Sequence, residues 1–277
     1  MIRLLGIPYD ASSSFKRGPA HGPDAVREAL QSPSANAFAE DGAEWPEGAW
    51  HDVGSVAFQT PGGTRWDGSP EAAKRREAER DLITREVARH LAESGPLLSI
   101  GGDHSVSFPV LRAFAARHPG LTIVHLDAHA DLYDQFEGDR FSHACPFARI
   151  MEDGLATRLV QVGVRTLTTH QRAQGDRFGV ETLEMRHGFG PLPPVEGPIY
   201  VSLDLDVLDP AFAPGVSHHE PGGPSTRDVI GMLQGLEGRI VGADIVELNP
   251  ARDIQGVTAM VAAKLARELM AAMARGQ

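Results

Sequence analysis

The sequence predicts one α/β domain over residues 1–277, with a mostly parallel sheet covered by helices on both faces. Three observations predict it: short, near-continuous apolar runs recur along the chain, helix-like stretches separate them, and polar clusters follow several runs directly. A strand buried on both faces reads as continuous Val, Ile and Leu, because neither face meets water. A length of 277 residues suits one large sheet domain, and no repeat or convincing linker divides it.

Taken in order, a strand is expected at 3–7 and a helix at 23–30. A long helix at 70–92 carries EAAKRREAERDLITREVARH, whose Arg and Glu residues pair at i,i+4 on a solvated face to which no function is assigned. Strand 97–101, helix 108–117, and strands 121–126 and 159–164 come next. PLPPVEG at 191–197 is a loop before strand 199–205, and helix 227–236, strand 240–246 and helix 257–274 complete the pattern.

Hydrophobic residues make up 42% and charged residues 23%, which is globular composition rather than that of a disordered chain. The formal net charge of -11 argues against nucleic acid and anionic membrane as partners and favours a cationic small molecule. MIRLLGIPYD lacks the pattern of a secretory signal, no apolar run is long enough to span a membrane, and Cys145 stands alone. The expected location is the cytoplasm.

In parallel sheets, ligands gather beyond the carboxyl ends of the strands. LLSI is followed by GGDHS, TIVHL by DAHAD and YVSL by DLDVLDP, so all three clusters are expected at one rim. Asp127, His129 and Asp131 alternate along a segment that, if extended or loosely turned, points them to one centre, and Asp204 and Asp206 repeat the spacing. With His104 they offer four carboxylates and two imidazoles, a donor set suited to manganese and tolerant of zinc, cobalt, nickel or iron. Four close aspartates call for two divalent cations rather than one. Such a pair can share a water and lower its pKa toward neutrality, giving a nucleophile without Ser or Cys.

GGDHS at 101–105, DAHAD at 127–131 and SLDLDVLDP at 202–210 resemble the three signatures of the ureohydrolase family of arginases and agmatinases. GIPYDASSSFKRGPAHGPDAVREAL, SHACPFARI and VELNP extend the resemblance over most of the chain. It implies a three-layer αβα fold with about eight strands, assembly as a homotrimer or homohexamer, and two Mn2+ ions. By the same resemblance, His104, Asp127, Asp131 and Asp204 hold one ion, and Asp127, His129, Asp204 and Asp206 the other. His143 is then the proton-transfer histidine and Glu247 the glutamate that pairs with a guanidinium. The implied reaction releases urea from a cationic guanidino compound.

Other residues carry plainer readings. Gly101 and Gly102 are expected to permit a tight turn. His125 is read as buried and paired rather than metal-bound, and Asp209 as the anchor of the turn before Pro210. Cys145 is a packing residue, since a Cys145–His143 nucleophilic pair would need electropositive surroundings. APGVSHHEPGG replaces the threonine-rich stretch of many relatives, leaving His218, His219 and Glu220 either on a solvent-facing loop or in the pocket wall. The loop after DAHAD lacks the Asn and Ser pattern of arginases, which points to agmatine or a similar guanidinoalkane, with Glu137 or Asp139 attracting its far ammonium. Arginase, guanidinobutyrase and formimidoylglutamase activities are the alternatives within the family. A dinuclear-metal amide deacylase and a catalytically silent assembly protein are those outside it.

Overall fold

The computed structural model describes residues 1–46, 48–93 and 95–276. Eight strands form one sheet: β1 (Arg3–Gly6), β2 (His51–Ser55), β3 (Leu97–Ile100), β4 (Thr122–Leu126), β5 (Arg158–Val162), β6 (Glu181–Leu183), β7 (Pro198–Asp204) and β8 (Arg239–Val246). Their order is β2-β1-β3-β8-β7-β4-β5-β6, and every neighbouring pair is parallel. Seven α-helices accompany them: α1 (Gly22–Leu30), α2 (Pro70–Leu91), α3 (Ser107–Arg117), α4 (Pro146–Glu152), α5 (Thr169–Phe178), α6 (Thr226–Gln234) and α7 (Val257–Arg275). No helix among the described residues is long and apolar enough to cross a membrane.

Successive side chains of a strand point to opposite faces, and the strands here supply both. Leu4, Leu98, Val124, Val201 and Ile245 pack with α1, α6 and α7, whereas Leu5, Leu97, Ile123, Tyr200 and Val246 pack with α2, α3 and α4. Two apolar cores thus sandwich one sheet, giving the three layers expected.

Strands β2 and β6 and helices α4 and α5 were not anticipated. Both strands are edge strands, and β2 has an almost wholly exposed burial pattern, so neither shows an apolar run. Helix α4 has only seven residues. Helix α5 buries only Gln171 and Gln174, but it did carry a readable signal: Thr168 and Gln171 form a reciprocal capping box, and Gly179 closes the helix in the left-handed conformation.

The reading of helix α2 as a merely solvated face fails at Arg76, which is 2% exposed. Its guanidinium donates to Asp139 Oδ2 at 2.6 Å, so Asp139 is held inside the protein and does not offer a free carboxylate to a substrate. Glu137 lies exposed in the same loop.

The two glycines after β3 serve close packing rather than a left-handed turn, since neither has a positive φ. A Cβ on Gly102 would lie 1.8 Å from the Tyr9 carbonyl oxygen, and the next amide, Asp103 N–H, donates to that oxygen at 2.8 Å. Gly102→Ala must therefore push apart the loops after β1 and β3. We expect a loss of about 1–3 kcal/mol in stability, read as a lowered denaturation midpoint. Wild-type stability in that variant would remove the packing argument.

Candidate metal centre and catalytic cleft

The four central strands β3, β8, β7 and β4 end at one level, with Ile100 beside Ile245, Leu203 beside Ile245, and Leu126 beside Leu203. His104 follows β3, Glu247 follows β8, Asp204 ends β7, and Asp127 follows β4. The rim anticipated from the sequence is thereby formed, and all six expected metal-binding side chains meet on it.

Local turns aim them. Asp204 caps a short 3-10 turn and accepts the Asp206 N–H at 2.8 Å. Asp127 Oδ1 accepts the His129 N–H at 2.6 Å, and Asp206 Oδ1 accepts the Ala128 N–H at 3.2 Å, so the DAHAD segment turns tightly rather than running extended. Asp131 has a φ of 49° and Glu247 one of 66°. Left-handed backbone is unfavourable for such residues and marks positions that the surroundings enforce. For Glu247, the Gly102 carbonyl accepts its amide at 2.8 Å.

His104 Nδ1 lies 3.0 Å from Asp127 Oδ2, 3.2 Å from Asp131 Oδ2 and 3.1 Å from Asp204 Oδ2. His129 Nδ1 lies 3.0 Å from Asp206 Oδ2 and 3.4 Å from Asp127 Oδ1. The first group reproduces one implied ligand set, while the second brings together the two ligands that are not shared, with Asp127 between both.

Hydrogen bonding shows what this arrangement fits. The Ser202 hydroxyl donates its one proton to Asp244 Oδ1 at 2.7 Å, so it accepts from His104 Nε2–H at 3.0 Å. Nδ1 then bears a lone pair, and that buried atom has no hydrogen-bond partner although three carboxylates surround it. Only added positive charge among these oxygens, as a proton on Nδ1 or as a cation, makes the arrangement favourable. His125 is different. The Gln161 amide nitrogen donates to the Ala130 carbonyl at 2.6 Å and to His125 Nδ1 at 3.0 Å, leaving His125 Nε2–H to donate to Asp127 Oδ2 at 2.8 Å. His125 is thus buried and paired, as expected, and its ring fixes the Asp127 carboxylate.

The electrostatics agree. Burial, with Asp206 and Asp127 beside it, raises the Asp204 carboxyl well above its ordinary range. Burial opposes an imidazolium at His104, yet Asp127, Asp131 and Asp204 raise its pKa well above normal. Burial and Asp127 push Asp206 up to about 6, against the effect of His129. Positive charge is what this cage needs, and two divalent cations supply it without protonating a ligand.

Beside the cage is a cleft of about 280 Å³ that reaches Ser14, His218 and Glu220 as well as His143 and Glu247. His143 Nδ1 is 3.4 Å from Glu247 Oε1, and its Nε2 is 2.9 Å from Ser14 Oγ. Burial disfavours its charge, but Glu247, Asp131 and Asp103 raise its pKa to about 9, which favours the imidazolium. His218 stacks on His143 with ring centroids 4.9 Å apart and belongs to the pocket wall, as does Glu220. His219 turns away to the Pro214 carbonyl at 2.7 Å. Asp209 anchors its turn by accepting from Ala211 and Gly222. Cys145 is buried, and burial with nearby aspartates raises its thiol far above the thiolate range. A larger groove of about 570 Å³, between residues 189–195 and α6, contains none of these site residues.

Three residues with a part in the site escaped the sequence reading. Ser14 gave no motif signal beyond its place in DASSS, and His125's partner Gln161 sat within an apolar strand. Arg165 donates to the carbonyls of Asp206, Val207 and Glu220, joining the metal-ligand turn to the pocket wall. An arginine directly after a strand at the rim was a usable clue.

A model of the arginase family matches residues 1–272. Arginase 1, mitochondrial, of Arabidopsis thaliana is 46% identical over 285 residues, covering 98% of this chain and 81% of that protein. The solved structure of the arginase from Medicago truncatula superposes with a TM-score of 0.86 at 43% identity, covering 98% of this chain and 87% of that one. The agmatinase of Proteus mirabilis is 33% identical over 289 residues, covering 96% and 85%. Similarity to these arginases thus exceeds similarity to this agmatinase, the reverse of what the loop after DAHAD suggested.

Cation binding must displace protons from the cage, so affinity should rise with pH. Between pH 5 and 7, as Asp206 passes its pKa of about 6, titration calorimetry should record tighter Mn2+ binding and proton release. Asp131→Ala and Asp204→Ala should each weaken that binding severely. Mn2+ affinity that is flat with pH and unchanged in both variants would contradict the cage.

Proposed function

The chain belongs to the arginase family, and on that premise we propose that it is a dinuclear-metal amidinohydrolase that releases urea from a guanidino compound, with arginine as the preferred substrate. The observation that carries the proposal is the joining of the six-residue cage to Glu247 and His143 in one cleft. Two Mn2+ ions, when bound, supply an ionised water and stabilise developing negative charge.

The protein's own groups do the rest. Glu247, held by the His104 N–H at 3.0 Å, presents a carboxylate to the planar fork of the guanidinium. Burial raises its pKa, but the His143 charge overrides that and keeps it low, so it stays ionised to bind a cation. This pairing holds the guanidino carbon at the cage. Ionised water adds to that carbon, and the adduct gives up its hydroxyl proton to solvent as the bond to the substrate's chain nitrogen breaks. The departing amine takes a proton from the His143 imidazolium, leaving urea and a primary amine.

Arginine rather than agmatine is favoured by the greater similarity to arginases. The Ser14 hydroxyl lines the cleft and offers a hydrogen bond to a carboxylate, whereas the Thr166 hydroxyl donates to the Ala128 carbonyl at 3.3 Å. Agmatine remains the second reading, because Glu220 is acidic and no Lys or Arg is among the described lining residues. An amide deacylase would give Glu247 no cation to pair, and an assembly protein would give no turnover. Assembly as a homotrimer or homohexamer belongs to the same proposal and is checked by light scattering.

With Mn2+-loaded protein, urea release from arginine should exceed that from agmatine and guanidinobutyrate in kcat/KM. His143→Gln should lower kcat by roughly 10²–10⁴-fold. Glu247→Gln should lower kcat/KM by about 10- to 100-fold, as expected for loss of one charge-assisted pair. Absence of urea from every guanidino compound, with the ions bound, defeats the proposal.

A further inference from the structure

We infer that Arg76, on the far helix α2, is a positioning residue for the reaction proposed above, because its guanidinium clamps together the two loops that hold His143. The inference rests on the reading of His143 as proton donor.

The fork donates to both loops at once. Nη1 donates to Asp139 Oδ2 at 2.6 Å in the 139–143 loop, while Nη2 donates to Ser12 Oγ at 2.6 Å in the 10–14 loop and to the Phe141 carbonyl at 3.2 Å. His143 ends the 139–143 loop and packs against the 10–14 loop. Its amide donates to the Ser12 carbonyl at 3.3 Å, and its Nε2 meets Ser14 Oγ at 2.9 Å. The separation of the loops therefore sets the position of the imidazole relative to Glu247.

Neighbouring contacts make the clamp rigid. Asp139 Oδ1 accepts the Phe141 N–H at 2.9 Å, and Asp103 Oδ2 accepts the Ser12 N–H at 2.8 Å. The Arg80 guanidinium lies 3.7 Å from the centre of the Phe141 ring. Removing two charges from water offsets much of what a buried ion pair gains, so apolar packing would hold the helix to the loops about as well. What apolar packing lacks is a planar donor that fixes two loops in one geometry. Lysine, with a single ammonium, reaches one loop or the other.

The test uses the full Mn2+-loaded chain and the variants Arg76→Lys, Arg76→Met, Ser12→Ala and His143→Gln, with kcat, KM and Mn2+ affinity measured for each. Misplacing a catalytic group by about 1 Å costs on the order of 10²-fold, so Arg76→Met should lower kcat by roughly 10- to 100-fold. Arg76→Lys and Ser12→Ala should fall between it and wild type, and KM and Mn2+ affinity should change less than about twofold. In the His143→Gln background, Arg76→Lys should cost nothing further, because the group it positions is gone. Should Arg76→Met not fold, the other two variants decide. The inference is overturned if both keep wild-type kcat, if their losses add fully to that of His143→Gln, or if Mn2+ affinity falls in step with kcat. If His143→Gln itself turns over normally, the proton-donor reading and this inference fail together; an impaired His143→Gln beside a normal Arg76→Lys rejects the inference alone.

Discussion

Mutual repulsion among Asp127, Asp131, Asp204 and Asp206 is the constraint on which the rest depends. These carboxylates are brought to one buried rim, where water cannot screen them, and desolvation adds to the cost of their charges. Two imidazoles alone do not satisfy such a cage, and the elevated proton affinities of Asp204, Asp206 and His104 express the deficit. Divalent cations turn the same arrangement from costly to favourable. The hydrogen bonds behind the ligands prepare for that charge: Ser202 leaves the His104 Nδ1 lone pair facing inward, and Gln161 makes His125 a donor to Asp127.

The sheet makes this convergence possible. Four adjacent parallel strands end together, so short loops from β3, β4, β7 and β8 arrive at one place. The sequence order of those strands is not their spatial order, since β7 and β8 insert between β4 and β3 after the outer strands have been laid down. The ligand turns are then held by contacts across loops, with Arg165 joining the Asp206 turn to the Glu220 segment and Gly102 letting the β3 loop press on Tyr9. These contacts fix the turns that carry the cage carboxylates.

Outside the cage, the cleft sets the Glu247 carboxylate beside the His143 imidazole. Glu247 and His143 stabilise one another's charged forms, so a binding group and an acid arise from a single contact. His218, stacked on His143, and Glu220 add to the wall of the same cleft.

Much of this was legible in the sequence. Continuous apolar runs revealed the six inner strands, because strands covered on both faces need no alternation, and the spacing of DAHAD and DLD marked the ligands before any fold was known. The edge strands β2 and β6 left no trace, since strands with little burial need no apolar run. The sequence also assigned Arg76 to solvent and left His218 and Glu220 undecided. Tertiary structure alone made those decisions, because a charge is buried or exposed according to partners that lie more than 60 residues away, as with Arg76 and Asp139. Local spacing determines which side chains can point together; packing between distant loops determines what they meet.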